Sequence, residues 1–408
     1  MVCLMNPVVT GFGKLSKSHD PCRWLMMVLI QATLLRCAAD DALDHWHLRD
    51  STAPNTVRYL NGIFVAVGSN IVASANGTVW VPHSIGSAET LKGVTYVPGS
   101  PGYFVAVGSS VFKSTDGATW TRRPLAPPDT FTDIAYSSAA GGFVATALNY
   151  QAANVRVYFS TNLNNWLPIA LPSSAFHSDK TTKQVIMAGN QFFVVGGGSF
   201  DDHIWRSSDG TNWQYLIYAN QYPGGFVYAN GQLAFIGNEG CPLVSVDLGN
   251  NWSTFKDTNF CSGSCLFCNY GHGVTYGNHT WATVYYNLGA GVLSSTNLQS
   301  WQKRTALRGK QLYSIAFGSG TFVAVGPDGI YQSDSVVTPR ISLLRKGDGT
   351  GVFVQVSGEV GRQYRLQFSE DMTSWHDERV FTADLPTMQF DEPFDPQLSN
   401  KFLRAVSP

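Results

Sequence analysis

The chain has 408 residues, room for two or three domains, and hydrophobic residues make up 44% of it, enough for a large core. Charged residues are only 13%, while Gly (40), Trp (11), Tyr (17) and Phe (24) are plentiful, a mix that suits many short strands and tight turns rather than helices. Net charge is −1 and no Lys/Arg run occurs, which argues against nucleic acid and anionic membrane surfaces as partners.

Residues 24–35 read WLMMVLIQATLL, directly after Arg23. The run is too short to span a bilayer. It has the form of a secretory signal, with Cys37-Ala38-Ala39 as the cleavage site before Asp40. Residues 1–39 are therefore expected to be a signal segment and the mature protein to be secreted or held at the cell surface. Next comes an isolated strand, Asp44-His45-Trp46-His47-Leu48-Arg49, with no partner strand near it in sequence.

From residue 57 to residue 338 one pattern recurs. A short apolar strand (Val94-Thr95-Tyr96, Ile134-Ala135-Tyr136, Val274-Thr275-Tyr276, Ile315-Ala316-Phe317) is followed by a Gly/Asn turn of the kind that closes hairpins. A wholly apolar run follows: FVAVG at Phe64, Phe104 and Phe322, with looser versions at Phe143, Phe192, Leu233 and Trp281. Successive steps between them are 40, 39, 49, 41, 48 and 41 residues. Such runs fit strands covered on both faces. The third element is a turn ending in Trp: SANGTVW, STDGATW, STNLNNW, SSDGTNW, SVDLGNNW and STNLQSW, ending at Trp80, Trp120, Trp166, Trp213, Trp252 and Trp301. Ser and Asp/Asn side chains bond local backbone N–H groups and hold such turns, which assigns Asp116, Asp209 and Asp247 a structural task.

Four strands per repeat at this period describe a propeller blade. The fold expected is all-β: a seven-bladed β-propeller over residues 40–338, then a small C-terminal β-sandwich over residues 339–408. The seventh apolar strand leads to Tyr331-Gln332-Ser333-Asp334 with no Trp after it, and the strand around Trp46 is expected to complete that blade and close the ring. The turns resemble the Asp-box repeats of bacterial sialidases and other exported propellers; Ser245-Val246-Asp247-Leu248-Gly249 with Trp252 fits the S-x-D-x-G-x-x-W form. The C-terminal residues, with SEDMTSW at Ser369–Trp375, resemble small β-sandwich modules of exported bacterial proteins. The resemblance implies a fold and is nearly silent on activity.

Four cysteines of the mature chain, Cys241, Cys261, Cys265 and Cys268, are expected to form two disulfides. The last three have the spacing of an iron–sulfur site, and with His272 of a zinc site, but both readings need a reducing compartment. No cofactor and no metal are expected. Sialidase chemistry needs converging arginines, and only Arg58 falls on an innermost strand. The longest loops belong to the third to sixth repeats and carry Tyr150, His177, Asp201, Asp202, His203, Glu239, His272, Tyr285 and Tyr286. Aromatic and acid/amide side chains together suit sugars. The function expected is therefore non-catalytic extracellular binding or scaffolding by a monomer, its ligand a carbohydrate or a surface protein on this loop face. The alternative is a polysaccharide-degrading hydrolase or lyase using carboxylates or His/Tyr there.

Overall fold

The computed structural model describes residues 2–5, 42–86, 89–123, 129–148, 156–172, 181–197, 202–219, 224–237, 242–255, 270–286, 291–335, 339–358, 363–385, 387–393 and 400–406, with the backbone alone at 2–5, 181, 270–272, 286 and 400. The chain divides into two compact units, residues 42–336 and residues 337–408 with 1–41.

The larger unit is all-β apart from a single 3₁₀ turn at Ala42–Asp44 and holds seven four-stranded antiparallel sheets among the described residues. Sheet 1 runs Thr56–Leu60, Ile63–Val67, Ile71–Ser74, Val81–His83; sheet 2 runs Leu91–Val97, Tyr103–Gly108, Val111–Ser114, Thr121–Arg123. Sheet 3 runs Thr130–Ser137, Gly142–Leu148, Arg156–Ser160, Leu167–Ala170; sheet 4 runs Thr181–Ala188, Gln191–Gly197, Asp202–Ser207, Gln214–Tyr218. Sheet 5 runs Gly225–Ala229, Gln232–Ile236, Leu243–Ser245, Ser253–Thr254; sheet 6 runs Tyr270–Gly277, Thr280–Tyr286, Gly291–Ser295, Gln302–Arg304. Sheet 7 runs Ser314–Gly318, Thr321–Gly326, Gly329–Ser333, and its fourth strand is Trp46–Asp50 from the other end of the unit. The first strands of consecutive sheets touch in turn, and that of sheet 7 touches that of sheet 1.

The apolar runs are the second strands. Phe64, Val65, Ala66 and Val67 are fully buried, as are Phe322, Val323, Ala324 and Val325, because each sheet is covered by a neighbour on both faces. Core clusters accordingly straddle adjacent sheets: Val65, Val67 and Ile71 of sheet 1 pack with Val94, Phe104 and Phe112 of sheet 2.

Each third strand ends in the same turn. Ser114 Oγ accepts the Gly117 N–H (2.9 Å), Asp116 Oδ1 accepts those of Ala118 and Thr119, and Trp120 Nε1 donates to the Gly117 carbonyl (3.0 Å). Ser160, Asn162 and Trp166 repeat these bonds around Leu163, and Ser295, Asn297 and Trp301 around Leu298. The pivot residue has positive φ, +75° at Gly117 and +66° at Leu163. That costs nothing at Gly and is tolerated at Leu because the side chain is buried, 4% exposed. Sheet 7 assembles an analogous turn from two distant pieces. Ser333 and Asp334 come from one end, and Leu43 and Trp46 from the other; Trp46 Nε1 donates to the Leu43 carbonyl (2.8 Å) as Trp166 does to Leu163. The Asp334 N–H donates to His45 O (2.9 Å), and Trp46 pairs with Ser333.

The smaller unit has a four-stranded sheet, in the order Val2–Met5, Asn400–Val406, Gln363–Ser369, His376–Thr382, and a three-stranded sheet, Arg340–Arg345, Gly351–Ser357, Thr387–Pro393. Val352, Val354 and Val356 share a core with Leu366 and Leu403. It repeats the turn again at Ser369, Asp371 and Met372, the last with φ +63°. Residues 24–39 and the cysteines 241, 261, 265 and 268 lie outside the described residues.

Candidate functional site

The seven first strands surround a cavity of about 1090 Å³. What lines it follows from register. One position on each strand sits directly against the next strand: Thr56, Gly93, Asp133, Gln184, Gly225, Gly273 and Ser314. At four of the seven a side chain bonds the neighbour's backbone. Thr56 Oγ1 donates to Lys92 O (2.6 Å), Asp133 Oδ2 accepts the Val185 N–H (3.2 Å), Gln184 bonds both N–H and C=O of Phe226, and Ser314 Oγ accepts the Val57 N–H. At the other three the residue is Gly because no side chain fits; a Cβ on Gly93 would lie 2.6 Å from Asp133 Cα, and one on Gly225 2.6 Å from Val274 N.

Among the described residues three cations line the cavity. Arg58 grips Asp133 bidentately (2.8 and 2.7 Å) and also donates to the carbonyls of Val94 and Ile134. Burial pushes the Asp133 carboxyl up, and Arg58 with the N–H groups of Ile134 and Val185 opposes it. Lys183 pairs at 2.5 Å with Asp202, which is fully buried. Lys92 is half-buried and, among the described residues, its ammonium has no ion-pair or hydrogen-bond partner. Because strands alternate in direction, the starts of first and third strands lie at one end of each sheet. Lys92, Thr132, Lys183 and Tyr313 thus mark the end where the second-to-third-strand loops lie. At the opposite end Tyr59, Tyr96, Tyr136, Met187, Tyr228, Tyr276 and Phe317 occupy one equivalent position, each half-buried and paired across to Phe64, Phe104, Phe143, Phe192, Leu233, Trp281 and Phe322.

Of the residues singled out from sequence, Asp202, His203 and Tyr285 are fully described, and all three are buried strand residues rather than loop residues. His203 is 3% exposed, its Nδ1 3.3 Å from Tyr215 Oη and its ring 5.1 Å from that of Tyr218. Tyr285 packs into the core between sheets 5 and 6, and burial raises its hydroxyl pKa, with Arg308 opposing. The strand simply continues to Asp202, because Lys183 on the first strand of the same sheet supplies the charge that lets a carboxylate be buried there. His272 and Tyr286 are placed on sheet 6 strands by their backbones. Tyr150, His177, Asp201 and Glu239 lie outside the described residues. The cavity residues Lys92, Asp133, Lys183 and Gln184 went unread from sequence. Their signal is an offset: each lies one or two places before the apolar residue that starts a short apolar triplet, Val94-Thr95-Tyr96, Ile134-Ala135-Tyr136 or Val185-Ile186-Met187.

No family model matches the chain, and no curated protein matches it. Solved structures do. YCF48 from Cyanidioschyzon merolae aligns with TM-score 0.52 at 13% identity, over 71% of this chain and 98% of its own. YCF48 bound to D1 peptide aligns at 0.49 and 17%, over 71% and 96%. The GH74 enzyme of Niastella koreensis aligns at 0.48 and 16%, over 71% of this chain and 43% of that one. The first of these shows the fold of the larger unit to be a β-propeller.

Proposed function

We propose that the chain is an exported, non-catalytic binding or scaffold protein. In this reading the seven sheets are the blades of a propeller closed by its N-terminal strand, the recurring turns are Asp-boxes, and the smaller unit is a β-sandwich module. The four cysteines beyond the signal segment pair as disulfides. The ligand is a carbohydrate or a surface protein, taken at the loop end of sheets 3–6 and the cavity mouth there.

The observation that carries this reading is the state of the carboxylates. A glycosidase needs two carboxyl groups facing one space, one of them free to give a proton. Asp133, the described carboxylate of the cavity lining, is locked by Arg58 and two backbone N–H groups, and Asp202 is held by Lys183. A second reading, a polysaccharide lyase, draws on the pair of buried His203 and half-buried Tyr215. Neither residue lines the cavity. The test is a glycan array together with a polysaccharide-digestion screen on the mature protein. Binding without product supports the proposal. Product formation that disappears in His203→Gln replaces it with the lyase.

A further inference from the structure

The cavity has an uneven inner wall, and its unused polar groups describe a ligand. Its cations among the described residues are Arg58, Lys92 and Lys183. Two are neutralised, Arg58 by Asp133 and Lys183 by Asp202, which leaves Lys92 as the uncompensated charge among the described residues. Most hydroxyls and amides of the wall are also occupied: Thr132 bonds Thr146 and the Thr182 carbonyl, while Gln184 and Ser314 tie neighbouring strands together. Tyr136 and Tyr228 differ. Both line the cavity, and neither phenol has a hydrogen-bond partner among the described residues.

These groups stand at two levels. Lys92 and Thr132 sit near the starts of their strands and Gly224 directly before its own, and Tyr136 and Tyr228 lie four residues beyond Thr132 and Gly224. At about 3.3 Å per residue the levels are separated by about 13 Å. A molecule that satisfies both is elongated, with an anionic group at one end and hydroxyls or ring faces toward the other. An ammonium that is half out of water and unpaired gains a charge-assisted bond from a carboxylate, and phenols stack on and bond to sugar rings.

Building on the binding function proposed above, we propose that the cavity takes a short acidic oligosaccharide, its carboxylate on Lys92 at the loop end and its sugar hydroxyls on Tyr136 and Tyr228 deeper in. The probe is trigalacturonate, compared by calorimetry on the full mature chain with its methyl ester, which lacks the charge, and with a tri-glutamate peptide, which lacks the sugar. Trigalacturonate should bind, with affinity that falls as salt is raised, and the ester should bind about tenfold or more weakly. Lys92→Met should reduce trigalacturonate binding to the level of the ester, Lys92→Arg should keep it, and both should melt as the parent does. Equal binding of acid and ester, an unaffected Lys92→Met, or binding of the peptide alone would each overturn the proposal. So would binding of none of the three. If the glycan array still reports a ligand in that case, the binding function survives and only the acidic-sugar assignment is lost.

Discussion

At the scale of single residues the recurring turns use two side chains for one task. Asp116, Asp209 and Asp247 do with a carboxylate what Asn162 and Asn297 do with an amide, accepting backbone N–H groups two to four places on. The carboxylates pay a pH dependence for it. The Thr119 and Ala118 N–H groups hold Asp116 well below the ordinary carboxylate range. At Asp209 burial pushes the pKa up, but the Asn212 and Thr211 N–H groups and the Asn212 amide lower it by more. Asp247 is lowered to about 2 by the Asn251 N–H and side chain. A depressed carboxyl stabilises the fold fully above its unfolded pKa, near 4, and loses that contribution as pH falls through the folded value. Stability should therefore decline between about pH 4 and pH 2, and the triple variant Asp116→Asn, Asp209→Asn, Asp247→Asn should flatten that decline while changing little at pH 7. Urea midpoints across this range check it; a triple variant as acid-sensitive as the parent would locate the proton uptake elsewhere.

At the scale of elements the ring of first strands shows why a glycine and a hydrogen-bonding side chain can be interchangeable. Adjacent strands are either stitched by a side chain or brought so close that only Gly fits. Gly93→Ala would push its new methyl into Asp133 and dislodge the Arg58 pair with it. A cost of about 2–3 kcal/mol is expected, as for other overpacked cores, whereas Gly347→Ala, with open space at its Cβ, should be neutral. Denaturant unfolding of the two variants tests the contrast. Much of this level was legible in the amino-acid pattern. Apolar runs such as FVAVG mark strands covered on both faces, and the Ser-x-Asp/Asn turns mark where third strands end. The interior of the ring was not legible. Asp202 looked like a loop residue because the residue that accommodates it, Lys183, lies 19 positions away and is brought near only by strand pairing. Lys92 and Gln184 carry no local mark, since their significance comes from the juxtaposition of the seven first strands and not from neighbouring sequence.

At the scale of the whole molecule the two ends of the larger unit meet in one sheet. Trp46, Leu48 and Asp50 pair with Ser333, Tyr331 and Ile330, and Arg304 of sheet 6 reaches Asp44 (3.0 Å). Removing residues 42–50 would strip Gly329–Ser333 of its outer partner and take Leu43 and Trp46 from the core. Several kcal/mol of lost stability and concentration-dependent association through the bared edge are expected. Light scattering and thermal melts of the truncated chain, with and without an added peptide of residues 42–50, would show both effects and their reversal. A truncation that melts like the parent would mean the ring does not depend on this strand.

The same closure sets the response to mechanical load. In the pair that joins the ends, Trp46 lies opposite Ser333, so the incoming and outgoing chain leave from one end of two antiparallel strands. Tension applied through both termini of the unit does not shear this pair along its length. It opens the pair like a zipper, one rung at a time from Trp46 toward Asp50, and each rung bears the whole force alone. A ring whose two ends are joined by strand pairing therefore yields to a pull at low force, and it yields first at the split turn of sheet 7. Single-molecule stretching from residues 42 and 335 should show an early, low-force event that releases this strand before any blade unfolds; simultaneous high-force rupture of the whole unit would contradict that order.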